Sequence, residues 1–409
     1  MANVFNSDVH KQFYIDGVQE ENRDSVPMRY VSEINTEDAE YLYNRYGSDM
    51  TAQNSTDSTY TTPDFTYSAD SKLIDKEAIA ADRITYKELS RQGFDIVADR
   101  TDKHAFAISR EVHRNAVRET RLLAGDTIDA LDITGSGSEF DRLTLSSSNA
   151  DDTAATAVQF MQESNCFTER NPYAMMTPKH AKNFNLFSMG AGFGFADKAL
   201  ENNIFQVGSA RVIRGAMGFG GLDLVVTNEM ERYNTITFTD ETDATDTVTI
   251  TAGGTTVTFQ AAASPSAAGD VDIAASGDEE AMIDNYVAAI NGGAGAGSTY
   301  VDVSAADRAK LSEWGVYARK VGTTQLEVSA FVDFTLGETG DETATGSATS
   351  PILVGAYNST TIALPSTGAN VEEKMPPLFS GIELMFSQQH DATVWTKNQD
   401  KIKQILIAK

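Results

Sequence analysis

The side chains best suited to bind a metal or to transfer protons in this sequence are its five histidines. They stand at His10, His104, His113, His180 and His390. A zinc site needs several His, Cys or carboxylate ligands, and two ligands on one helix commonly stand four residues apart. No two histidines have that spacing, and a pair of cysteines is missing because Cys166 is the only one. We predict no metal site and no cofactor, with the histidines exposed or on helix surfaces.

Two segments resemble catalytic or phosphate-binding loops only superficially. Gly190-Ala-Gly-Phe-Gly194 follows no convincing strand, and no Gly-Lys-Ser/Thr comes after it, so we interpret it as a flexible loop near a subunit contact. Ser136 has a glycine on each side, but its spacing is not that of a nucleophile elbow. No histidine is near Cys166 in sequence, which favours a buried or semi-buried thiol. We therefore predict that the chain is not an enzyme.

Clustered carboxylates are the remaining candidates for ion binding. The two clusters are Asp240, Glu241, Asp243 and Asp246, and Asp270 with Asp272. Calcium prefers such oxygen ligands, but the glycine and the closing glutamate of an EF-hand loop are misplaced here. We interpret both clusters as an acidic, solvated face.

The overall charge excludes a class of function. The 409 residues carry 32 Lys and Arg against 59 Asp and Glu, a formal net charge of -27. A general nucleic-acid binder needs clustered cations that displace counterions from phosphates, and no long basic run is present. The charge predicts solubility and repulsion between copies. A chain of this length is expected to form two or three packed units.

The sequence also predicts where the protein folds. A single cysteine permits no intramolecular disulfide. The segment beginning at Met1 has no basic region followed by an apolar run, so we expect no secretion signal. No stretch approaches about 18 apolar residues, so we expect no membrane-spanning helix. Folding in a cytoplasm follows from these expectations.

One long amphipathic helix is expected to position the other elements. Its apolar stripe consists of Ala105, Ile108, Val112, Ala116 and Leu123. Charged residues lie between them and are expected to form a solvated face: Arg110, Glu111, Arg114, Arg118, Glu119 and Arg121. About 24 residues would span roughly 36 Å, which is typical of a structural strut. A charge placed at Ile108 or Val112 is expected to abolish the folded subunit.

The section before this helix, 26–89, has no helical period. Its middle, 49–69, is rich in Thr, Ser and Asp, and the β-type runs Met28–Val31 and Phe65–Tyr67 flank it. We interpret the section as a long extended hairpin. Such an excursion is rare unless it contacts something else, so we expect it to lie on a partner.

Shorter elements follow the long helix. We predict a helix over 154–163, a strand at Tyr173–Met176 and a helix starting at Thr177-Pro178. Val207–Met230 is predicted to form strand, turn and strand. Two further strands are predicted at Gly381–Phe386 and Ile402–Ile407.

Residues 234–370 differ in composition, being rich in Thr, Ala, Gly, Ser and Asp. Alternating runs around Gly253-Gly254 predict a hairpin over 247–259. A helix is predicted at 278–290, and strands at 299–303, 316–320 and 325–332. We interpret 234–370 as an inserted, acidic α/β domain that faces solvent. Deleting it with the ends bridged is expected to leave assembly largely intact.

Three segments resemble the major capsid proteins of tailed phages, which share the Hong Kong ninety-seven fold. Lys72–Leu89 resembles the strand that leaves the extended loop, and Ala105–Leu123 resembles the long spine helix. Gly208-Ser-Ala-Arg-Val-Ile-Arg-Gly215, continuing to Leu224–Asn228, resembles the axial-domain strand pair. The order and spacing of the three carry the resemblance, since none is a fingerprint by itself.

The resemblance implies an α+β phage capsid fold with an N-terminal arm, an extended β-hairpin loop, a spine helix, and peripheral and axial domains. Its implied ranges are an arm at 1–25, an extended loop at 26–92, spine helix and peripheral domain at 93–150, a mainly axial domain at 151–233, the insertion at 234–370, and a return to the core at 371–409. Some members of the family cross-link Lys to Asn, but nothing in this sequence marks a pair.

The function implied is that of a major capsid protein. It would self-assemble into pentamers and hexamers of an icosahedral shell around double-stranded DNA, in the host cytoplasm, and reside in the virion. Implied partners are copies of itself and scaffolding, portal and decoration proteins; DNA is touched only weakly and non-specifically, and membranes not at all. The alternative is a secreted surface-layer or flagellin-like protein, which the Thr/Ala/Gly-rich insertion would suit. Electron microscopy separates closed shells from sheets or filaments.

Overall fold

The computed structural model describes residues 28–47, 67–86, 96–138, 140–166, 171–190, 211–213, 222–238, 245–273, 279–340, 343–344, 348–374 and 381–408. Helices and strands are mixed along the chain, which confirms the predicted α+β class. The arm predicted at 1–25 and the middle of the predicted extended loop, 48–66, lie outside the described residues.

The first sheet is built around one long strand. Its strands are β1 (Glu33–Asn35), β4 (Lys76–Thr85), β18 (Thr360–Ala363), β19 (Ala369–Lys374) and β20 (Gly381–Val394). The strands β4 and β19 flank β20 on opposite edges, because both pair with its residues 383–388. A short helix, α1 (Met28–Val31), precedes β1, and its Met28 and Val31 are buried.

Helix α2 (Ile96–Leu122) packs against this sheet and confirms the predicted strut. Ala105, Ile108, Val112 and Ala116 are each at most 2% exposed. The ring of His104 stacks on Phe386 of β20 at 4.9 Å between centroids. Four apolar residues repeating every three or four positions therefore form the buried stripe that the sequence predicts.

Gly125 follows the end of α2 for a steric reason. A side-chain carbon there would stand 2.5 Å from the Gln399 carbonyl oxygen, to which the Gly125 N–H donates. Only glycine permits so close an approach of two backbones.

The second sheet has six strands. In spatial order they are β5 (Asp126–Ile128), β21 (Ile402–Ile405), β17 (Ile352–Gly355), β6 (Tyr173–Met176), β8 (Asp223–Val226) and β7 (Arg211–Ile213). Helices α3 (Ala130–Thr134), α4 (Ala150–Glu163) and α5 (Pro178–Gly190) accompany it. Apolar residues of α3, α4 and α5 share one buried cluster with β6, β17 and β21. The predicted helix over 154–163, the strand at 173–176 and the proline at the start of α5 are confirmed, as is the antiparallel pair β7–β8.

A third unit carries two four-stranded sheets around one apolar cluster. One sheet contains β10 (Thr247–Ala252), β11 (Thr255–Ala262), β12 (Asp270–Asp272) and β15 (Phe334–Glu338). The other contains β9 (Arg232–Thr237), β13 (Tyr317–Val321), β14 (Gln325–Ala330) and β16 (Thr343–Ala344). Its helices are α6 (Glu279–Asn291) and α7 (Ala305–Trp314). The predicted Gly-Gly hairpin is confirmed: Gly253 and Gly254 have φ of 57° and 80°, as a primed hairpin turn requires.

The strand pairing revises the end of the predicted insertion. Tyr233 and Thr349 exchange reciprocal backbone hydrogen bonds of 3.0 and 3.1 Å, so the chain leaves and returns at one place. Beyond that neck, β17 lies inside the six-stranded sheet and β18 pairs with β20. The unit that can be excised therefore spans 234–348 and not 234–370, although the division into domains stays a prediction.

Two other expectations are wrong. Met28–Val31, predicted as a strand, is a helical turn. Residues 299–303 form no strand; Tyr300 makes only isolated bridges there, to Val271 and Ala296. Both runs are short, and a short apolar run does not distinguish helix, strand and loop by its period.

Candidate assembly surface

A two-stranded hairpin is the element whose shape most needs explanation. Strands β2 (Tyr41–Gly47) and β3 (Tyr67–Leu73) pair antiparallel, from Tyr41 opposite Leu73 to Gly47 opposite Tyr67. No third strand joins them within the described part of the chain. Isolated two-stranded ribbons are marginally stable at best, so other contacts must support this one.

The inner face of the hairpin rests on its own subunit. Leu42, 2% exposed, packs with Ala363 and Trp395. The backbone N–H of Thr396 donates to the Asp70 carboxylate at 3.0 Å, and Lys72 Nζ lies 3.7 Å from Asp391. The expectation that the whole hairpin lies on a partner is therefore wrong for this face.

The outer face of the hairpin is exposed and carries several large aromatic and aliphatic side chains, with Arg45 and Ser71 among them. Residues directly opposite in an antiparallel pair point to the same side, and alternate residues share that side. Tyr41, Tyr43, Tyr67 and Leu73 consequently share one side, which we call the tyrosine face. Their exposures are 39%, 68%, 79% and 39%, and the rings of Tyr41 and Tyr43 lie 6.1 Å apart.

Strand β4, which follows β3 in the chain but belongs to the first sheet, also carries an exposed apolar residue. Its burial alternates, with Ala78 and Ile84 buried and Ile79 58% exposed. Large aromatic and aliphatic side chains that remain exposed in neighbouring strands are typical of protein–protein contacts.

A buried ionic cluster ties α2 to the insertion. The Glu231 carboxylate, fully buried, accepts from Arg121 Nε at 2.5 Å and from Arg118 Nε at 2.6 Å. Arg121 Nη1 also donates to Glu327 of β14 at 2.8 Å, and Arg319 of β13 holds Glu327 through two nitrogens, each at 2.9 Å. The helix is thereby joined to Glu231, just before the insertion, and to Glu327 of β14 within it.

Charges and rings surround this cluster. Burial alone would raise the pKa of Glu231, but the charges and hydrogen bonds of Arg121 and Arg118 outweigh it and lower that pKa to about 2. Arg118 lies over the rings of Tyr317 and Phe331 at 5.0 and 5.1 Å, and the Arg121 guanidinium lies 4.8 Å from the ring of Tyr233. Cation–π contacts of this kind add to the ion pairs where water is excluded.

The prediction that the charged residues of α2 form a solvated face is therefore wrong in part. Arg114 and Arg121 are only 7% and 3% exposed, and Arg114 Nε donates to Glu229 at 2.7 Å. Glu111, by contrast, is 53% exposed in its side chain and only 3.9 Å from Arg114, as expected of a weak surface pair. Sequence reasoning missed Glu229, Glu231 and Glu327. The signal was present: the arginines recur at four, four and three positions, which is itself a helical stripe.

Three of the four described histidines are buried, against expectation. Burial lowers the pKa of His113, His180 and His390 to about 4 each. His104 is half-buried, and burial lowers its pKa too. His10 lies outside the described residues. The histidines occupy separate places in the fold, in α2, α5 and β20.

The other candidate residues are also dispersed. Cys166 is buried, as predicted, and burial raises the pKa of its thiol. Asp270 accepts the backbone N–H groups of Ser266 and Ala267, which is a turn-stabilising role. Asp240, Glu241 and Asp243, and the loop after Gly190, lie outside the described residues. Ser136 follows Gly135, whose left-handed φ of 68° ends α3.

Neither a metal centre nor a membrane helix can be located in what the structure describes. Within those residues no three His, Cys, Asp or Glu side chains are grouped as metal ligands. The described helices include none that combines the length and the apolar character needed to cross a bilayer.

Solved structures of phage capsids and of a virus-like particle are similar in shape to this chain. The capsid of Ralstonia phage GP4 is similar over 93% of this chain and 87% of its own, at 10% identity and a TM-score of 0.45. The capsid of cyanophage P-SCSP1u is similar over 94% of this chain and 89% of its own, at 9% identity and a TM-score of 0.44. A virus-like particle from Pyrococcus furiosus is similar over 97% of this chain and 98% of its own, at 9% identity and a TM-score of 0.42. The first two of these neighbours are phage capsids and the third is a virus-like particle.

No protein-family model matches the sequence, and no curated protein is significantly similar to it. TM-scores below 0.5 mark a distant likeness of shape. We therefore base the functional conclusion on the contacts of this chain's own residues.

Proposed function

We propose that this chain is a capsid shell subunit, the major capsid protein of a tailed virus. Copies assemble through pentamers and hexamers into an icosahedral shell around double-stranded DNA. The observation that carries the proposal is the tyrosine face: three tyrosines and a leucine exposed on a two-stranded ribbon whose other side is anchored to the subunit. A second copy of the chain is the occupant that a repeating shell supplies for this face.

The charge of the chain sets the conditions for assembly. With a formal net charge of -27, copies repel one another, so association depends on buried apolar area and on screening by salt. The same charge keeps the wall from binding DNA tightly, so the chain's role is containment. We infer no catalytic role, since the buried histidines and the thiol stand apart from one another.

Electron microscopy of the purified full-length chain, over a range of salt concentrations, tests the proposal. We expect closed shells of uniform size. Sheets or filaments would instead favour a surface-layer or flagellin-like protein, and monomers at every protein and salt concentration would refute self-assembly.

A substitution in the tyrosine face tests whether this face forms the contact between subunits. Tyr43→Glu places a charge where an apolar contact is expected, and we expect a folded subunit that no longer forms shells. The control is Leu131→Glu, which changes another exposed apolar residue (40%, against 68% for Tyr43) in α3, outside the hairpin. Shells formed equally well by both variants would remove the tyrosine face from the interface. Circular dichroism of both variants verifies that the subunit is folded.

A further inference from the structure

A polar cleft of about 260 Å³ opens where helix α5 begins. Thr177, Lys179 and His180 at the start of the helix line one side of the cleft. Arg232, Thr349 and Ser350 at the neck of the insertion also line it. Pockets for drug-sized ligands usually exceed about 300 Å³, so this cleft suits a smaller and more polar ligand.

Two side chains that line the cleft carry buried polar atoms without partners. His180 is 7% exposed and Thr349 5%, and within the described residues neither His180 Nδ1 nor Thr349 Oγ1 has a hydrogen-bond partner. Buried polar atoms are nearly always paired, because leaving them unpaired costs stability. Both atoms belong to residues that line one cleft, so a polar ligand bound there would supply the missing partners.

The charge at the cleft is positive. Lys179 is exposed and has no ion pair among the described residues. Arg232 Nε lies 2.9 Å from Asp333, and its Nη1 donates to the Phe331 carbonyl at 3.2 Å. No contact of Nη2 is found in the part of the chain that the structure describes, so that end of the guanidinium remains available. Asp333 also lines the cleft, but its side chain is 72% exposed and is screened by water.

The helix itself favours an anion at this place. α5 has 13 residues and starts with Pro178, which has no N–H, and the His180 N–H donates to Thr177 Oγ1 at 3.4 Å, so it is mainly the positive end of the helix dipole that favours an anion here. Burial first, and then the charges of Lys179 and Arg232, lower the pKa of His180 to about 4. The imidazole is therefore neutral at pH 7 and can donate one N–H.

We propose that this cleft binds one small oxyanion of the phosphate class. Lys179 and the free end of Arg232 supply the charge, and the Thr349 hydroxyl and the His180 ring supply hydrogen bonds from inside. The helix N-terminus orients the site. The proposal does not depend on the capsid function, because the cleft lies within one subunit.

Titration of inorganic phosphate into the full-length protein tests the site, with chloride adjusted to hold the ionic strength constant. We expect saturable binding in calorimetry and a rise of the unfolding temperature that chloride does not reproduce. No saturable binding by the wild-type protein would overturn the proposal.

Two charge-matched variants separate a site from general electrostatics. Lys179→Gln is expected to weaken phosphate binding by up to about fivefold, in the range of an exposed ion pair. Lys182→Gln removes the same charge from an exposed position three residues along α5, outside the cleft, and should leave binding unchanged. An equal loss in both variants would refute a localised site.

Thr349→Val distinguishes a hydroxyl that binds phosphate from one that only stabilises the fold. The hydroxyl has no hydrogen-bond partner among the described residues, so its replacement by an isosteric methyl should leave phosphate-free stability unchanged or higher, while the stabilisation by phosphate is lost. Lower stability without phosphate, together with unchanged phosphate binding, would sink the assignment.

A competition experiment distinguishes the two sources of such an anion. Short duplex DNA that displaces inorganic phosphate would assign the site to backbone phosphates. Phosphate binding that is insensitive to DNA would assign it to a free oxyanion.

Discussion

Glu231→Gln is the substitution that tests the buried ionic cluster most directly. The new side chain has the same shape but no charge, so Arg118 and Arg121 lose their shared counterion inside the protein. Removing one partner of a buried ion pair typically costs about 3–5 kcal/mol. Glu327 still pairs with Arg121 at 2.8 Å, which favours the lower end of that range.

The lowered pKa of Glu231 agrees with that cost in direction and in order of magnitude. Its pKa is about 2 in the folded protein, against an ordinary value of 4.5. A depressed carboxyl pKa contributes stability above pH 4.5, and that contribution is lost as the pH falls towards 2. A difference of this size corresponds to about 3 kcal/mol. Both routes therefore place the cost of Glu231→Gln at about 3 kcal/mol at pH 7.

Urea unfolding of the unassembled subunit measures this cost. The difference between wild type and Glu231→Gln should be about 3 kcal/mol at pH 7 and should shrink as the pH falls from 4.5 towards 2. The matched control is Glu111→Gln in α2, whose exposed, 3.9 Å pair predicts a change within about 0.5 kcal/mol. A cost below about 1 kcal/mol, or one that does not depend on pH, would refute the cluster as an ionised network.

Three further predictions concern the helix, the buried histidines and the insertion. Ile108→Asp should abolish the folded subunit because Ile108 is 1% exposed, whereas Phe106→Asp, at a 46% exposed position of the same helix, should be tolerated in circular dichroism and solubility. His113 has a pKa of about 4 against an ordinary 6.5, so it should remove up to about 3 kcal/mol of stability as the pH falls from 6.5 to 4, and His113→Gln should flatten that slope in urea unfolding. Deleting 234–348 with a short glycine bridge should give soluble subunit, whereas deleting 234–370 should not, because it also removes β17 and β18; equal solubility of the two would contradict the strand pairing.

Elements with a strong local period were predictable from the sequence. The stripe from Ala105 to Ala116 predicted α2 because burial of one helical face imposes a spacing of three and four residues. Gly253-Gly254 predicted the β10–β11 hairpin because both residues need positive φ. In each case the information lies within a few neighbouring residues.

Elements defined by distant partners were not predictable in this way. β17, Ile352–Gly355, is a short apolar run at the end of a Thr- and Gly-rich region, and its composition does not indicate that it pairs with β6 and β21. Arg121 and Glu231 are 110 positions apart, so no local pattern indicates that they form an ion pair. Without that partner, an exposed position was the expected one for an arginine.

Helix α2 serves two surfaces at once, and this determines how the insertion is attached. Its apolar stripe packs on the sheet of β20, while a second stripe, Arg114, Arg118 and Arg121, faces Glu229 and Glu231. Both glutamates lie just before the neck formed by Tyr233 and Thr349, and Glu327 lies just inside the unit beyond it. Hydrogen bonds at the neck alone would leave rotation about one short connection. Ion pairs on both sides of the neck hold the insertion against the helix, so we expect α2 and the insertion to move as one body.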